Sequence, residues 1–283
     1  MNKLSAIFLM CILLLSVLGI YADPTYVEND NGWITVTFTE VGSDIFVIPE
    51  GVTEVEVLVV GGGGGAGTQT SHSTTYAGSG GAGGLILMEG DNSYIFSSSE
   101  ISNGYVGVTV GDGGLGSSNV NQRASNGGDS TFGRLTAKGG GGGGSGATSG
   151  TNQGSGAPGG SGGGGAEFNG ALQSGGAAIQ PSQTGESGTY GWGTPGGIFG
   201  GGGTSGAGGG SSGRTGIHNS SGKTVWGNTY ASGGTWFGGY FDAAPNTGNG
   251  ANGPGSSSYT GGGRKGGSGI VIVRYIPHYL LQL

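Results

Sequence analysis

A chain of 283 residues with 76 glycines, one cysteine and a formal net charge of −7 excludes several protein classes at once. Nine bases against sixteen acids give no basic surface for nucleic acid or for docking on anionic lipid. The glycines run in blocks such as Gly61–Gly65, Gly139–Gly144 and Gly200–Gly203 rather than at every third residue, so a collagen triple helix is excluded too.

The first residues predict a secretory signal peptide over 1–22. Lys3 is a short basic region, Leu4–Leu18 is an apolar stretch of the usual length, and Ala22 is a small residue suited to cleavage before Asp23. The other reading is an uncleaved membrane anchor, for which the stretch is slightly short of the ~20 residues of a span. Cys11 lies inside this stretch behind Met10, which is not the small residue a lipidation site wants. The mature chain is therefore expected to be secreted without disulfides. Eight of the sixteen acids fall between Asp23 and Glu56, a segment with no base.

Strand patterns follow. Trp33–Glu40 alternates apolar and polar residues, Asp44–Pro49 is closed by proline and Gly51, and Glu54–Val60 places Val55, Val57 and Val59 on one face with Glu54 and Glu56 on the other. Gly84–Met88, Tyr105–Val110, Ser130–Lys138 and Ser268–Ile276 complete about seven strands. No stretch of the mature chain holds helical periodicity over three turns, so the class is all-β. Ile270–Tyr275 is too apolar to stand alone and must return to a sheet built by the earlier strands.

Between them lies the glycine-rich middle. In residues 139–213, 34 of 75 are glycine and only Glu167 and Glu186 are charged, a composition that by itself predicts disorder. Ordering it costs about 1–2 kcal/mol per residue, which so few apolar side chains cannot offset. The one ordered alternative is a set of extended, polyproline-II-like helices whose main-chain groups bond to neighbouring helices. The reading is one glycine-rich domain over 23–276, with sandwich strands in 33–138 and 268–276, an inserted glycine-rich region over 139–267, and a tail at 277–283.

Five pieces in order resemble a known family, the glycine-rich-domain proteins. They are Phe46–Val60 followed by GGGGGAG, GSGGAGGL at Gly78–Leu85, VGVTVGDGG at Val106–Gly114, NGGDSTFGRLTAKGGGGGG at Asn126–Gly144, and GGSGIVIVRY at Gly266–Tyr275. The resemblance implies a jelly-roll-like antiparallel β-sandwich carrying an inserted glycine-rich, polyproline-II-type helical lattice. Related regions occur in phage tail-fibre adhesin tips and in some receptor ectodomains. Tail-fibre adhesins carry no signal peptide, so residues 1–22 depart from that branch, and no receptor-like transmembrane helix follows the domain.

Little in the chain suggests catalysis. Gly-x-Gly-x-x-Gly matches recur, but none lies between a strand and an amphipathic helix, so no dinucleotide or other cofactor site is expected. Ser221-Gly222-Lys223-Thr224 fails as a phosphate loop because Ile217 stands where glycine is required. His72, His218 and His278 are scattered, no nucleophile–base set is visible, and no metal site is expected. Asp112 and Asp129 sit in GDGG and GGDS turns, where a short carboxylate bonds to nearby amides; the alternative, calcium binding, lacks the regular spacing of a calcium-binding repeat.

The unusual stretch is Thr224–Ser258, which gathers Trp226, Tyr230, Trp236, Phe237, Tyr240 and Phe241 among Gly, Asn and Ser; Trp192 and Phe199 lie in an earlier loop. Two readings stand for these rings. They form an exposed ligand-binding loop for a glycan or protein, or they cap the glycine helices and supply that region's apolar core. Asn219-Ser220-Ser221 is a glycosylation sequon, an acceptor where the host glycosylates secreted proteins. The functional expectation is a secreted or cell-surface, non-enzymatic adhesion scaffold. The alternative is a purely structural component of a matrix, sheath or filament, in which the segment Asp23–Asn31 exchanges between subunits.

Overall fold

The computed structural model describes residues 24–69, 77–146, 154–168, 171–180, 191–192, 196, 222–235, 241–253 and 262–277. The predicted signal peptide, the sequon at Asn219 and the rings Trp236, Phe237 and Tyr240 lie outside the described residues. In chain order the strands are β1 (Thr25–Glu28), β2 (Ile34–Phe38), β3 (Gly42–Val47), β4 (Glu54–Val60), β5 (Leu85–Met88), β6 (Tyr94–Ile95) and β7 (Tyr105–Val110). They continue with β8 (Ser130–Phe132), β9 (Leu135–Ala137), β10 (Glu167–Phe168), β11 (Ala171–Leu172), β12 (Gly191–Trp192), β13 (Lys223–Val225), β14 (Asn228–Tyr230) and β15 (Ile270–Tyr275).

Two antiparallel sheets form the frame, as expected of an all-β chain. The larger runs β1-β2-β15-β4-β5-β12, with β6 also pairing β4; the smaller runs β3-β7-β8-β9. The last strand, β15, lies between β2 and β4, with Val273 opposite Val36 on one side and Val57 on the other. Its central place explains its composition, because a strand with two neighbours and largely covered faces meets little water.

Alternation sets the inner face. Val106, Val108 and Val110 of β7 share one core with Val55, Val57 and Val59 of β4 and with Phe46, Phe132, Ile86 and Val271. Phe132 lies 5.9 Å from Phe46 and 5.0 Å, edge-on, from Tyr94. The inward positions of β4 were legible from its period of two. Its outward positions were not: Leu58 and Val60 are fully buried as well, under a cover described below.

The strand-by-strand reading missed several short elements, among them a helix and the first strand. The six-residue helix α1 (Ser98–Asn103) starts with a reciprocal capping box between Ser97 and Glu100 and ends at Gly104, whose φ is 77°. The acidic N-terminal segment pairs within its own chain as β1, with Tyr26 opposite Val36 of β2.

The glycine segments are not confined to the middle of the sequence. Residues 61–67 continue β4, 77–84 lead into β5, 111–117 continue β7, 124–129 lead into β8, 139–146 follow β9, and 262–269 lead into β15. All six leave one end of the sandwich, since Val60 pairs with Leu85 and Ile270, and Ser130 with Ala137. There they bond to one another through main-chain groups.

Residues 61–67 show the order of this network. The amides of Gly61, Gly64 and Gly67 donate to the carbonyls of Gly84, Gly81 and Gly78, those of Gly62 and Gly65 to Gly128 and Ser125, and those of Gly63 and Ala66 to Gly267 and Arg264. These seven bonds are 2.8–3.0 Å long and cycle among three neighbours with a period of three residues. Their carbonyls accept from three further segments: Gly62 and Gly65 from Gly140 and Gly143, Gly63 and Ala66 from Gly114 and Ser117, and Gly64 from Ala251. Six neighbours thus surround one glycine segment, and its buried polar groups find partners there.

Side chains complete the network at its margin, again three apart. Asn126 Oδ1 accepts from Gly142 N (2.9 Å) and Asp129 Oδ1 from Gly139 N (2.8 Å). Asn249 and Asn252 accept from Ser232 N and Thr235 N, both at 2.8 Å.

Candidate functional site

The cover over the outer face of the large sheet is a hairpin. Strands β13 and β14 pair Thr224 with Thr229, whose hydroxyls lie 3.1 Å apart, and are joined by Trp226 and Gly227. Those two residues have φ of 47° and 86°, the left-handed pair that a two-residue turn of type I′ requires. Gly227 adopts it freely. A tryptophan there is strained by about 1–3 kcal/mol, and such strain persists only where the surroundings over-determine it.

The surroundings do so here. Trp226 Nε1 donates to Glu89 Oε2 at 3.2 Å, tying the turn to the residue after β5. The guanidinium of Arg274 lies 4.5 Å from the Trp226 ring centre and 4.8 Å from that of Trp33, between the two. Arg274 also meets the Glu56 carboxylate at 3.6 Å, its cross-strand partner on β4. Val225, Tyr230 and Ala231 then press on Leu58, Val60, Leu85, Leu87 and Ile272, closing a second apolar cluster. Tyr230 is buried there, and burial pushes its hydroxyl above the ordinary range, with a hydrogen bond from Asn228 opposing.

Of the six rings, Trp226 and Tyr230 cover chiefly the outer face of the sheet, where Leu58, Val60, Ile270 and Ile272 offer apolar area to bury, and Ala82 of the glycine segment 77–84 joins the same cluster. The sheet side of the groove beside them is lined by Thr35 and Thr37 of β2 and by Ile270, Ile272 and Arg274 of β15. The hairpin walls one side with Trp226, Asn228 and Tyr230, and the β1–β2 turn walls the other with Asn29, Asp30 and Asn31. The open volume is about 840 Å³. Asn29 is held by its own bonds, Nδ2 donating to Trp33 O (3.2 Å) and Thr35 Oγ1 (3.0 Å).

The family model for the glycine-rich domain matches residues 39–276. The chain belongs to the glycine-rich-domain family. Among curated proteins none matches it. In this glycine-rich-domain protein the groove was half legible in sequence. Trp226 and Tyr230 were singled out as rings of one loop, whereas Thr35, Thr37 and Arg274 carried no signal beyond alternation. The turn Asn29–Asn31 was read only as part of an extended segment. Phe241 is 76% exposed and lies outside the groove. Of the earlier-loop rings, Trp192 is on β12 beside Leu85, and Phe199 lies outside the described residues.

The acidic turns of this glycine-rich-domain protein are engaged in its own structure. Asp112 Oδ1 accepts from Gly113 N at 2.8 Å and pairs with Lys265 Nζ, and Asp129 pairs with Lys138 Nζ at 2.7 Å. No three of His, Cys, Asp and Glu among the described residues lie close enough to hold a metal ion.

Proposed function

We propose that this is a secreted or cell-surface, non-enzymatic recognition scaffold that binds a glycan or protein through the groove beside the Lys223–Tyr230 hairpin. One observation carries the reading: a tryptophan held at a strained turn position, fixed by Glu89 and Arg274, forms the wall of an 840 Å³ groove. Strain of this kind at an exposed turn is the mark of a side chain kept for its position. The scaffold beneath is a lattice of polyproline-II-type helices, supported by the period of three in the bonds of residues 61–67, since that helix repeats every three residues. Secretion is supported by the signal-peptide pattern of residues 1–22 and by the acidic balance of the chain.

The test is direct. Labelled full-length expression product, recovered from culture medium, is applied to intact cell surfaces and secreted matrices, and its N-terminus is sequenced. The expected results are a start at Asp23 and binding that Trp226→Asn weakens about ten-fold. Retention of the protein inside the cell overturns the location, and binding indifferent to Trp226→Asn overturns the groove.

A second reading, a structural filament or sheath component, is favoured by β1. All four of its residues are exposed at the edge of the large sheet, Tyr26 by 44% and Val27 by 48%. An open edge is a template for another strand. Sedimentation that shows a monomer at all concentrations removes this reading.

A further inference from the structure

We infer that the groove takes a neutral saccharide chain, an inference that rests on the recognition reading above and narrows its ligand. The floor of the groove offers no main-chain pairing. The strands beneath it, β2 and β15, are each bonded on both sides, β2 to β1 and β15, and β15 to β2 and β4. A peptide that adds itself as a strand needs a free edge, which these two floor strands lack.

A docked helix is disfavoured by the lining. It needs a row of open apolar pockets, whereas the aliphatic side chains of the groove, Ile270 and Ile272, are only 5% and 7% exposed. What the groove presents instead is short polar side chains beside a ring. Thr35, Thr37, Asn31 and Asn228 line it from two sides, and together they offer both donors and acceptors. A sugar hydroxyl is itself donor and acceptor, so mixed hydroxyls and amides match it. The Trp226 ring supplies apolar surface for the C–H face of a pyranose, and its fixed position removes most of the entropy cost of ordering it.

Charge sets the ligand as neutral. Among the described residues Asp30 is the one carboxylate of the lining and Arg274 the one cation, and Arg274 is already met by Glu56 at 3.6 Å and flanked by two indoles. An anionic polymer would meet Asp30 and a chain of net charge −7, with no uncommitted cation among the described lining residues to receive it.

Affinity electrophoresis of the full chain decides this. The protein is run through gels containing soluble neutral polysaccharides (a β-glucan, a mannan, a galactan), an acidic one (polygalacturonate) and gelatin. The expected result is retardation by at least one neutral polysaccharide, weakened about ten-fold by Trp226→Asn and by Thr37→Val and unchanged by Phe241→Ser. Both groove substitutions suit their backbone, asparagine tolerating left-handed φ and valine a strand position, and melting curves verify the fold. Groove-dependent retardation by gelatin or polygalacturonate alone overturns the neutral-saccharide inference and leaves groove recognition standing. Retardation that ignores both groove substitutions overturns the two together. No retardation by any neutral polysaccharide overturns the inference, while the cell-surface experiment still judges the broader reading.

Discussion

A single methyl group decides whether residues 61–67 can pack. A Cβ built on Gly64 would overlap the carbonyl of Gly141, and one on Gly63 that of Asn249; in both cases the obstacle is backbone, which cannot rotate away. Gly107 of β7 has open space where a Cβ would stand. Gly64→Ala is therefore expected to cost about 3 kcal/mol or more, and Gly107→Ala to be neutral or to stabilise by about 0.5 kcal/mol, measured by denaturant unfolding. Charge acts at the same scale in α1. Tyr94 Oη donates to Glu100 Oε1 at 2.6 Å, Ser97 N donates to Oε2 at 2.7 Å, and Arg134 lies 3.6 Å away. Burial disfavours the Glu100 carboxylate, but these bonds and the Arg134 charge outweigh it and hold the group below its ordinary value of 4.5. A depressed pKa adds stability that is complete above the unfolded value and lost as pH falls through the folded one. The melting temperature should thus decline below about pH 4.5, and Glu100→Gln should flatten that decline while lowering stability near neutral pH. An unchanged acid limb in the variant would place the linkage elsewhere.

Among the elements, the β13–β14 hairpin does the work of a third layer. Leu58, Val60, Leu85, Leu87 and Ile272 would otherwise turn an apolar face to water from a sheet already packed on its other side. Tyr230→Ala should therefore cost about 3–4 kcal/mol, comparable to an inner-core truncation, despite lying in a segment that reads as loop. Equilibrium unfolding checks this, and a loss under 1 kcal/mol would show that the outer face does not depend on the hairpin. The turn itself explains why the hairpin escaped notice: Trp-Gly lacks the Asn-Gly or Asp-Gly signature of a type I′ turn. Helix α1 did carry a signature, Ser97-x-x-Glu100, but its six residues are too few for periodicity to register.

Across the whole molecule, glycine bundle and sandwich are expected to unfold as one cooperative body. Six strands pass directly into glycine segments, and each segment bonds to neighbours that belong to other strands. Amide hydrogen exchange should accordingly find the amides of Gly62–Gly67 as protected as those of β15, with both released in a single thermal transition. Early exchange of the glycine amides alone would divide the molecule into a stable sandwich and a loose bundle. The bonds, more than side-chain burial, must hold this region, because glycine buries little apolar surface to offset its backbone entropy.

Composition, alternation and the order of local motifs determined the all-β class, the inward residues of β4, the return of β15 to a sheet of earlier strands and the family, since each depends on side-chain period or on motif order. The rings Trp226 and Tyr230 were also legible as unusual, but which surface they serve was not. That depended on contacts between residues far apart in sequence: Trp226 with Glu89 and Arg274, Tyr230 with the outward face of β4 and β15. The glycine network is the clearest case. Glycine carries no side chain to encode a partner, so composition left order and disorder open. Only the tertiary structure, by bringing six strand ends to one place, decided which amide meets which carbonyl.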